Sequence, residues 1–130
     1  MKRSEIRKIT DQMLQELFLN YGELLPYSIH FIKLPDKIPG MVTRKTIEDW
    51  KDSSYTKTEV AEIKFNVRFL SYGRNFWEGL IAHETCHLLE AKHNKEFRMA
   101  VGSLIKNKEW GKAKVPHVYL DCGWGDENEN

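Results

Sequence analysis

The sequence contains very little cysteine, no long apolar segment and no excess of charge of either sign. Its two cysteines, Cys86 and Cys122, cannot form a disulfide framework or a four-cysteine zinc site. No apolar run approaches the roughly 20 residues that a membrane helix requires. The segment from Met1 to Gln12 is charged and lacks the apolar core of a secretion signal. We therefore predict a cytoplasmic protein without membrane association, in which any zinc is held mainly by histidine.

The positive and negative charges of the chain nearly cancel. Lys and Arg number 20 and Asp and Glu number 19, which gives a net charge of +1. This balance argues against a strongly basic nucleic-acid-binding protein. A basic tract nevertheless follows the middle of the chain, and although such a tract is usually a solvated face, it could contact phosphate. Its members are Lys92, Lys95, Arg98, Lys106, Lys108, Lys112 and Lys114. Among the charged residues, only this tract favours DNA as a partner.

The N-terminal half of the chain predicts a helix followed by short strands. Apolar residues recur with helical spacing from Ser4 to Asn20, and Gly22 is a reasonable stop signal. Alternating apolar and polar side chains then indicate strands. The three predicted strands cover residues 27–31, 41–43 and 63–69. Between the last two strands, residues 51–57 predict a polar loop.

The following segment predicts two helices. Asn75 is a candidate cap for the first, which carries apolar residues from Phe76 to Leu88. Asn94 is a candidate cap for the second, whose apolar stripe begins at Phe97. Because the connections between the strands are too short for repeated crossover helices, we expect an α+β fold rather than a doubly wound sheet.

A zinc-binding pattern, HETCH, stands at residues 83–87. Residues four apart share one face of a helix, so His83 and His87 can bind the same zinc ion. Glu84 lies beside that face, where a base for a zinc-bound water belongs. His93 follows five residues later and can join the two histidines only if the helix ends before it. Three histidines would leave the fourth zinc position to water, as in catalytic sites.

These residues predict a hydrolytic mechanism. Zinc lowers the pKa of its water to about 7 and polarises a carbonyl. Glu84 would remove the water proton and pass it to the leaving amine. A further donor should stabilise the oxyanion, and the sequence does not choose among its candidates. These are Tyr72, His117 and Tyr119.

Less specific interpretations stay open. An HExxH pattern can occur by chance on an amphipathic helix whose histidines are merely exposed or hydrogen-bonded. Zinc could also be a structural clip in a non-catalytic nucleic-acid-binding or protein-binding module, although a clip needs no carboxylate at Glu84. A third hypothesis is hydrolysis of a non-peptide amide. We interpret Cys86 as a small buried residue and Glu90 as a solvated or supporting residue, rather than as ligands.

The motif and its surroundings resemble the SprT-like, WLM and YgjP-like group of small zinc metallopeptidases. The likeness rests on the HExCH pattern at residues 83–87, on His93, and on the polar stretch and phenylalanine that follow it. The order of helix, strands and motif helix over residues 4–106 is similar too. The resemblance implies a compact α+β zincin-like domain with a small sheet of about three strands. We expect this single domain to span residues 1–125, before an acidic tail at residues 126–130.

The resemblance also implies the functional roles. His83, His87 and His93 would bind zinc, Glu84 would be the catalytic base, and polypeptide would be the substrate. SprT-like proteases degrade proteins crosslinked to DNA, and many carry a C-terminal zinc ribbon that this chain lacks. Metzincins share the histidine spacing, but they have glycine where this chain has Glu90, so we rank that family lower.

Overall fold

A computed structural model describes residues 1–90 and 92–105 of the chain. Its elements are α1 (Arg3–Tyr21), β1 (Tyr27–Ile32), β2 (Gly40–Lys51), β3 (Ser54–Asn66), α2 (Arg74–Cys86) and α3 (Lys95–Leu104). A short 3₁₀ turn at Val67–Phe69 joins β3 to α2. The predicted α+β class, with an N-terminal helix, three strands, a motif helix and a following helix, is confirmed. The predicted acidic tail at residues 126–130 lies outside the described residues.

The three strands form one mixed sheet with the order β1-β3-β2. β1 pairs parallel to β3, and β2 pairs antiparallel to it, so β3, the last of the described strands, is the central one. β2 and β3 are joined by the two-residue turn Asp52–Ser53, in which both residues have positive φ, 51° and 66°. Such a turn matches the right-handed twist of the strands that it connects.

The core lies between one face of the sheet and the helices. Ile6 and Leu17 of α1 are fully buried, as is Trp77 of α2. The ring of Trp77 meets the ring of Phe65 on β3 edge to face, with centroids 5.5 Å apart. Helix α2 packs against α1, α3 and β2, which makes it the most central helix. The residues of the motif are therefore carried by the element that the rest of the domain surrounds.

The β2–β3 hairpin extends well past the core. β1 pairs with β3 only over residues 61–66, whereas β2 pairs with β3 along its whole length. We call residues 44–59 the hairpin arm, and every residue of the arm is exposed. We call residues 40–43 and 61–66 the hairpin base. Its residues Val42, Ile63 and Phe65 are buried.

The arm corrects two predictions. The polar loop predicted at residues 51–57 is wrong, because most of those residues belong to paired strands. The strand predicted at 41–43 is much longer, since its pairing with β3 continues to Lys51. Cross-strand contacts support this extension, and the rings of Trp50 and Tyr55 lie 5.0 Å apart beside the turn.

Two element boundaries also differ from the predictions. β3 ends at Asn66 rather than at residue 69, because the Asn66 side chain accepts a hydrogen bond from the backbone of Arg68 and starts the 3₁₀ turn. Helix α2 has Gly73 as its N-cap rather than Asn75. The backbone N–H of Trp77 donates to the carbonyl of Gly73 at 3.2 Å, which adds the residues before Phe76 to the first turn.

Candidate metal centre

Helix α2 ends inside the HETCH motif. Its last residue is Cys86, and His87 follows as the C-cap with φ −67° and ψ −14°. The backbone N–H groups of Leu88 and Leu89 donate to the carbonyls of Thr85 and Cys86, each at 3.0 Å. These three-residue spacings tighten the last turn. The predicted exit of the chain from the helix before His93 is therefore confirmed.

The start of α3 fixes the position of His93. The side chain of Asn94 accepts a hydrogen bond from the backbone of Phe97 at 2.9 Å, which confirms the predicted cap. The Arg98 guanidinium donates to the carbonyl of His93 at 2.7 Å. Two interactions from the first turn of α3 thus hold the backbone beside His93.

The structure brings His83, His87 and His93 together. One ring nitrogen from each histidine lies within 4.8 Å of the other two, and the Nε2 atoms of His87 and His93 are 3.2 Å apart. The side chains are buried, with exposed fractions of 0%, 0% and 4%. The ring of Phe97 packs against all three imidazoles, at 4.6 to 5.1 Å between centroids. Three converging nitrogen donors in a buried site fit a metal ion well.

A backbone carbonyl orients one of these histidines. Nδ1 of His87 lies 3.1 Å from the carbonyl oxygen of Glu90. If Nδ1 donates this bond, the lone pair of Nε2 is turned toward the other histidines. Glu90 was expected to be a solvated or supporting residue, and its backbone carbonyl makes the supporting contact. A sequence motif could not predict this contact, because every residue has a backbone carbonyl.

The same burial favours neutral imidazole. It lowers the pKa of His83 well below the usual histidine value, and the nearby His87 and His93 lower it further. Neutral imidazole is the form that binds a metal ion.

Glu84 is the most unusual polar residue of the site. Its side chain is fully buried, and neither carboxylate oxygen accepts a hydrogen bond from the described residues. Oε2 lies 3.9 Å from Nε2 of His83, so the carboxylate borders the histidine cluster. Burial raises the pKa of Glu84 well above the usual value. A buried carboxyl group without hydrogen bonds is costly, so a chemical role is the natural explanation.

Glycine at position 40 allows β2 to lie directly against Glu84. A Cβ atom at Gly40 would be 3.2 Å from Cγ of Glu84, 3.2 Å from Cδ1 of Leu80 and 3.2 Å from the carbonyl oxygen of Lys64. These distances are shorter than ordinary van der Waals contacts between carbon atoms. No sequence pattern identifies this glycine, because the contact depends on how β2 packs on α2.

The remaining predicted residues have different outcomes. Cys86 is buried on α2, as expected, and burial raises the pKa of its thiol. Tyr72 is half exposed, and its ring packs on Phe69 and Phe76 at 5.0 and 4.7 Å between centroids. The other two oxyanion candidates, His117 and Tyr119, lie outside the described residues. The choice of oxyanion donor stays open.

The basic tract is only partly described. Lys92, Lys95 and Arg98 belong to the described residues, and the members from Lys106 onward do not. Arg98 is engaged with the carbonyl of His93, so its charge is partly used inside the domain. Binding of DNA to this tract stays a prediction. Separately, none of the described helices combines the length and apolarity needed to cross a membrane.

Comparison with known proteins gives one match. A family model described as "YgjP-like, metallopeptidase domain" matches residues 28–114, which is more than half of the chain. The matched range runs from the second residue of β1 through α3 and contains the three clustered histidines and Glu84. No curated protein and no solved structure matches the chain.

Proposed function

Because the chain belongs to the YgjP-like metallopeptidase family, we propose that it is a zinc-dependent peptidase that hydrolyses polypeptides. The proposed metal ligands are His83, His87 and His93, and the proposed general base is Glu84. The observation that carries the proposal is the position of Glu84. It is a fully buried carboxylate whose oxygens accept no hydrogen bond from the described residues, at the border of three converging imidazoles.

Zinc is the proposed metal because the donor set consists of three imidazole nitrogens. Catalytic zinc sites commonly have three protein ligands and keep one position open, whereas structural sites are closed by four. When bound, zinc supplies Lewis-acid polarisation of a carbonyl and lowers the pKa of a water molecule. His87 is already oriented for this role by the carbonyl of Glu90.

Glu84 performs the proton transfers in this proposal. Its carboxylate accepts the proton of the attacking water and donates it to the amine that leaves. Gly40 lies directly against the Glu84 side chain, so the position of that side chain is restricted before substrate binds. The short turn after Cys86 and the cap at Asn94 restrict the ligands in the same way.

One alternative follows from the same site. In a non-catalytic zinc-stabilised binding module, the histidines alone would be sufficient, and Glu84 would have no role. We therefore rank the enzyme first. DNA-associated proteins as substrates and a cytoplasmic location are further parts of the proposal, and they rest on the sequence.

The test compares two matched variants on the same helix. Glu84→Gln removes the proposed base, while Glu78→Gln changes a carboxylate whose partner is the exposed Arg74. Both variants and the parent should bind about one zinc per chain by elemental analysis. Digestion of denatured casein should slow by about 10²–10⁴-fold in Glu84→Gln and stay at the parental rate in Glu78→Gln. Parental activity of zinc-loaded Glu84→Gln, or a parent that binds no zinc, would contradict the proposal.

A further inference from the structure

Within the part of the chain that the structure describes, one edge of β2 is open along the hairpin arm. β2 pairs with β3 on one side, and no other described strand pairs with it. In a hairpin with a two-residue turn, the flanking residues, here Lys51 and Ser54, form a hydrogen-bonded pair. Odd-numbered residues of β2 therefore bond to β3, and even-numbered residues direct their N–H and C=O groups to the open edge. The hydrogen bond from the N–H of Asn66 to the carbonyl of Pro39, at 2.8 Å, agrees with this alternation, because Pro39 is also an odd-numbered residue bonded to β3.

The charges along this edge are self-complementary. The sequence RKTIED at residues 44–49 has two basic residues, two uncharged residues and two acidic residues. An antiparallel second copy of the strand places the basic half of one chain opposite the acidic half of the other. A parallel copy would place like charges opposite each other, which is destabilising. The pattern therefore distinguishes a second copy, in one direction, from an arbitrary strand.

Geometry restricts the register of such a pair. The twofold axis must be perpendicular to the sheet, so opposed residues must point to the same face and both be odd or both be even. The allowed axes nearest the centre of residues 44–49, which oppose the basic half to the acidic half, pass through the pair of Ile47 residues or through the pair of Thr46 residues.

The contacts within one chain favour the Ile47 register. It opposes Lys45 to Asp49 twice, and neither side chain has a salt bridge with any residue that the structure describes. The Thr46 register instead opposes Arg44 to Glu48. Arg44 already contacts Glu59 at 3.2 Å, and Glu48 already accepts a hydrogen bond from a tyrosine hydroxyl.

We propose that two copies of this chain associate through the open edges of β2, antiparallel, with Ile47 on the twofold axis. Ile47 has 46% of its surface exposed, and the pairing covers it with its own copy. Ile47 and the Lys45–Asp49 pairs occupy non-hydrogen-bonded positions, where opposed side chains approach most closely. The two three-stranded sheets become one continuous sheet with β2 strands at its centre.

The association leaves the metal centre open. Pairing extends from Thr43 to Lys51, so the strand beside Gly40 and Glu84 is not covered. Gly40 is seven residues from the axis, which corresponds to about 23 Å along a strand. Because the axis is perpendicular to the sheet, the two metal centres lie on the same face of the dimer.

A charge swap tests the pairing in the full chain. Sedimentation velocity over a range of concentrations should show a reversible dimer of the parent. Lys45→Asp or Asp49→Lys alone opposes like charges and should weaken the dimer by at least about tenfold, whereas the two substitutions together should restore it. The unfolding midpoint of each variant shows whether its fold is kept.

A crosslink fixes the register. In a Cys122→Ser background, Ile47→Cys should form a disulfide-linked dimer when treated with diamide, while the matched variant Thr46→Cys, which faces Glu48, should not. Three outcomes would each overturn the proposal. They are a parent that is monomeric at all concentrations, a dimer whose affinity does not change with the charge-reversing substitutions, and crosslinking through Thr46→Cys instead of Ile47→Cys.

Discussion

The hairpin base and the hairpin arm are made by the same two strands in one unbroken register, yet they differ completely in burial. In the base, Val42, Ile63 and Phe65 are buried under the helices. In the arm, both faces of the strands are exposed. The comparison separates two functions of strand pairing. Pairing in the base organises the core and the metal centre, whereas pairing in the arm presents a surface.

The largest effect is expected from Phe65→Ala in the base. Phe65 is fully buried and contacts Trp77, so truncation leaves a cavity between β3 and α2. We expect the free energy of unfolding, measured by urea denaturation, to fall by about 3–5 kcal/mol. A loss below about 1 kcal/mol would show that the base does not carry the core as described.

An intermediate effect is expected from Gly40→Ala, at the end of the base that touches Glu84. The added Cβ meets a backbone carbonyl as well as two side chains, so β2 must move or Glu84 must shift. We expect a loss of about 1–3 kcal/mol in unfolding free energy together with reduced casein hydrolysis.

The matched control for Gly40→Ala is Gly102→Ala. Gly102 lies in α3, and nothing lies within 4 Å of the position that its Cβ would take. The same substitution should there be stabilising, by up to about 1 kcal/mol. If Gly40→Ala were also neutral or stabilising and kept full activity, the close contact between β2 and Glu84 would have no functional importance.

The smallest effect is expected from Trp50→Ala in the arm. Trp50 is 73% exposed and packs mainly on Tyr55 across the hairpin. Its removal should lower the unfolding free energy by only about 0.2–1 kcal/mol, measured at a concentration where the protein is monomeric. A loss as large as that of Phe65→Ala would mean that the arm and the base do not differ in stability.

The difference between base and arm also explains what the sequence could predict. Periodicity found α1 and the base of β3 because each buries one face, and it found β1 because Ile29 and Phe31 pack against the core. Periodicity failed in the arm, where no face is buried. Apolar residues do not alternate with polar ones between Arg44 and Lys51. A strand of this kind is held by its cross-strand neighbours and its turn, and neither is visible in a local pattern.

The metal centre was easier to predict than the strands that support it. The spacing of His83, His87 and His93 and the cap at Asn94 are local features, and the structure places the three imidazoles together. The roles of these histidines and of Glu84 stay predictions until the variants are measured. The contact from Gly40 is a tertiary feature and could not be predicted.

The strand order has a consequence for how the chain folds. β1 is made first, but its partner in the sheet is β3, the last of the three described strands, and β2 lies on the far side. The β2–β3 hairpin closes through a two-residue turn, and its pairing can extend outward from residues that are close in sequence, beginning with Lys51 and Ser54. We therefore expect the hairpin to form early and β1 to join it later, because closing the longer loop costs more chain entropy before any contact is gained. The exposed arm, which adds little to the core, would then act as the nucleus on which the sheet assembles.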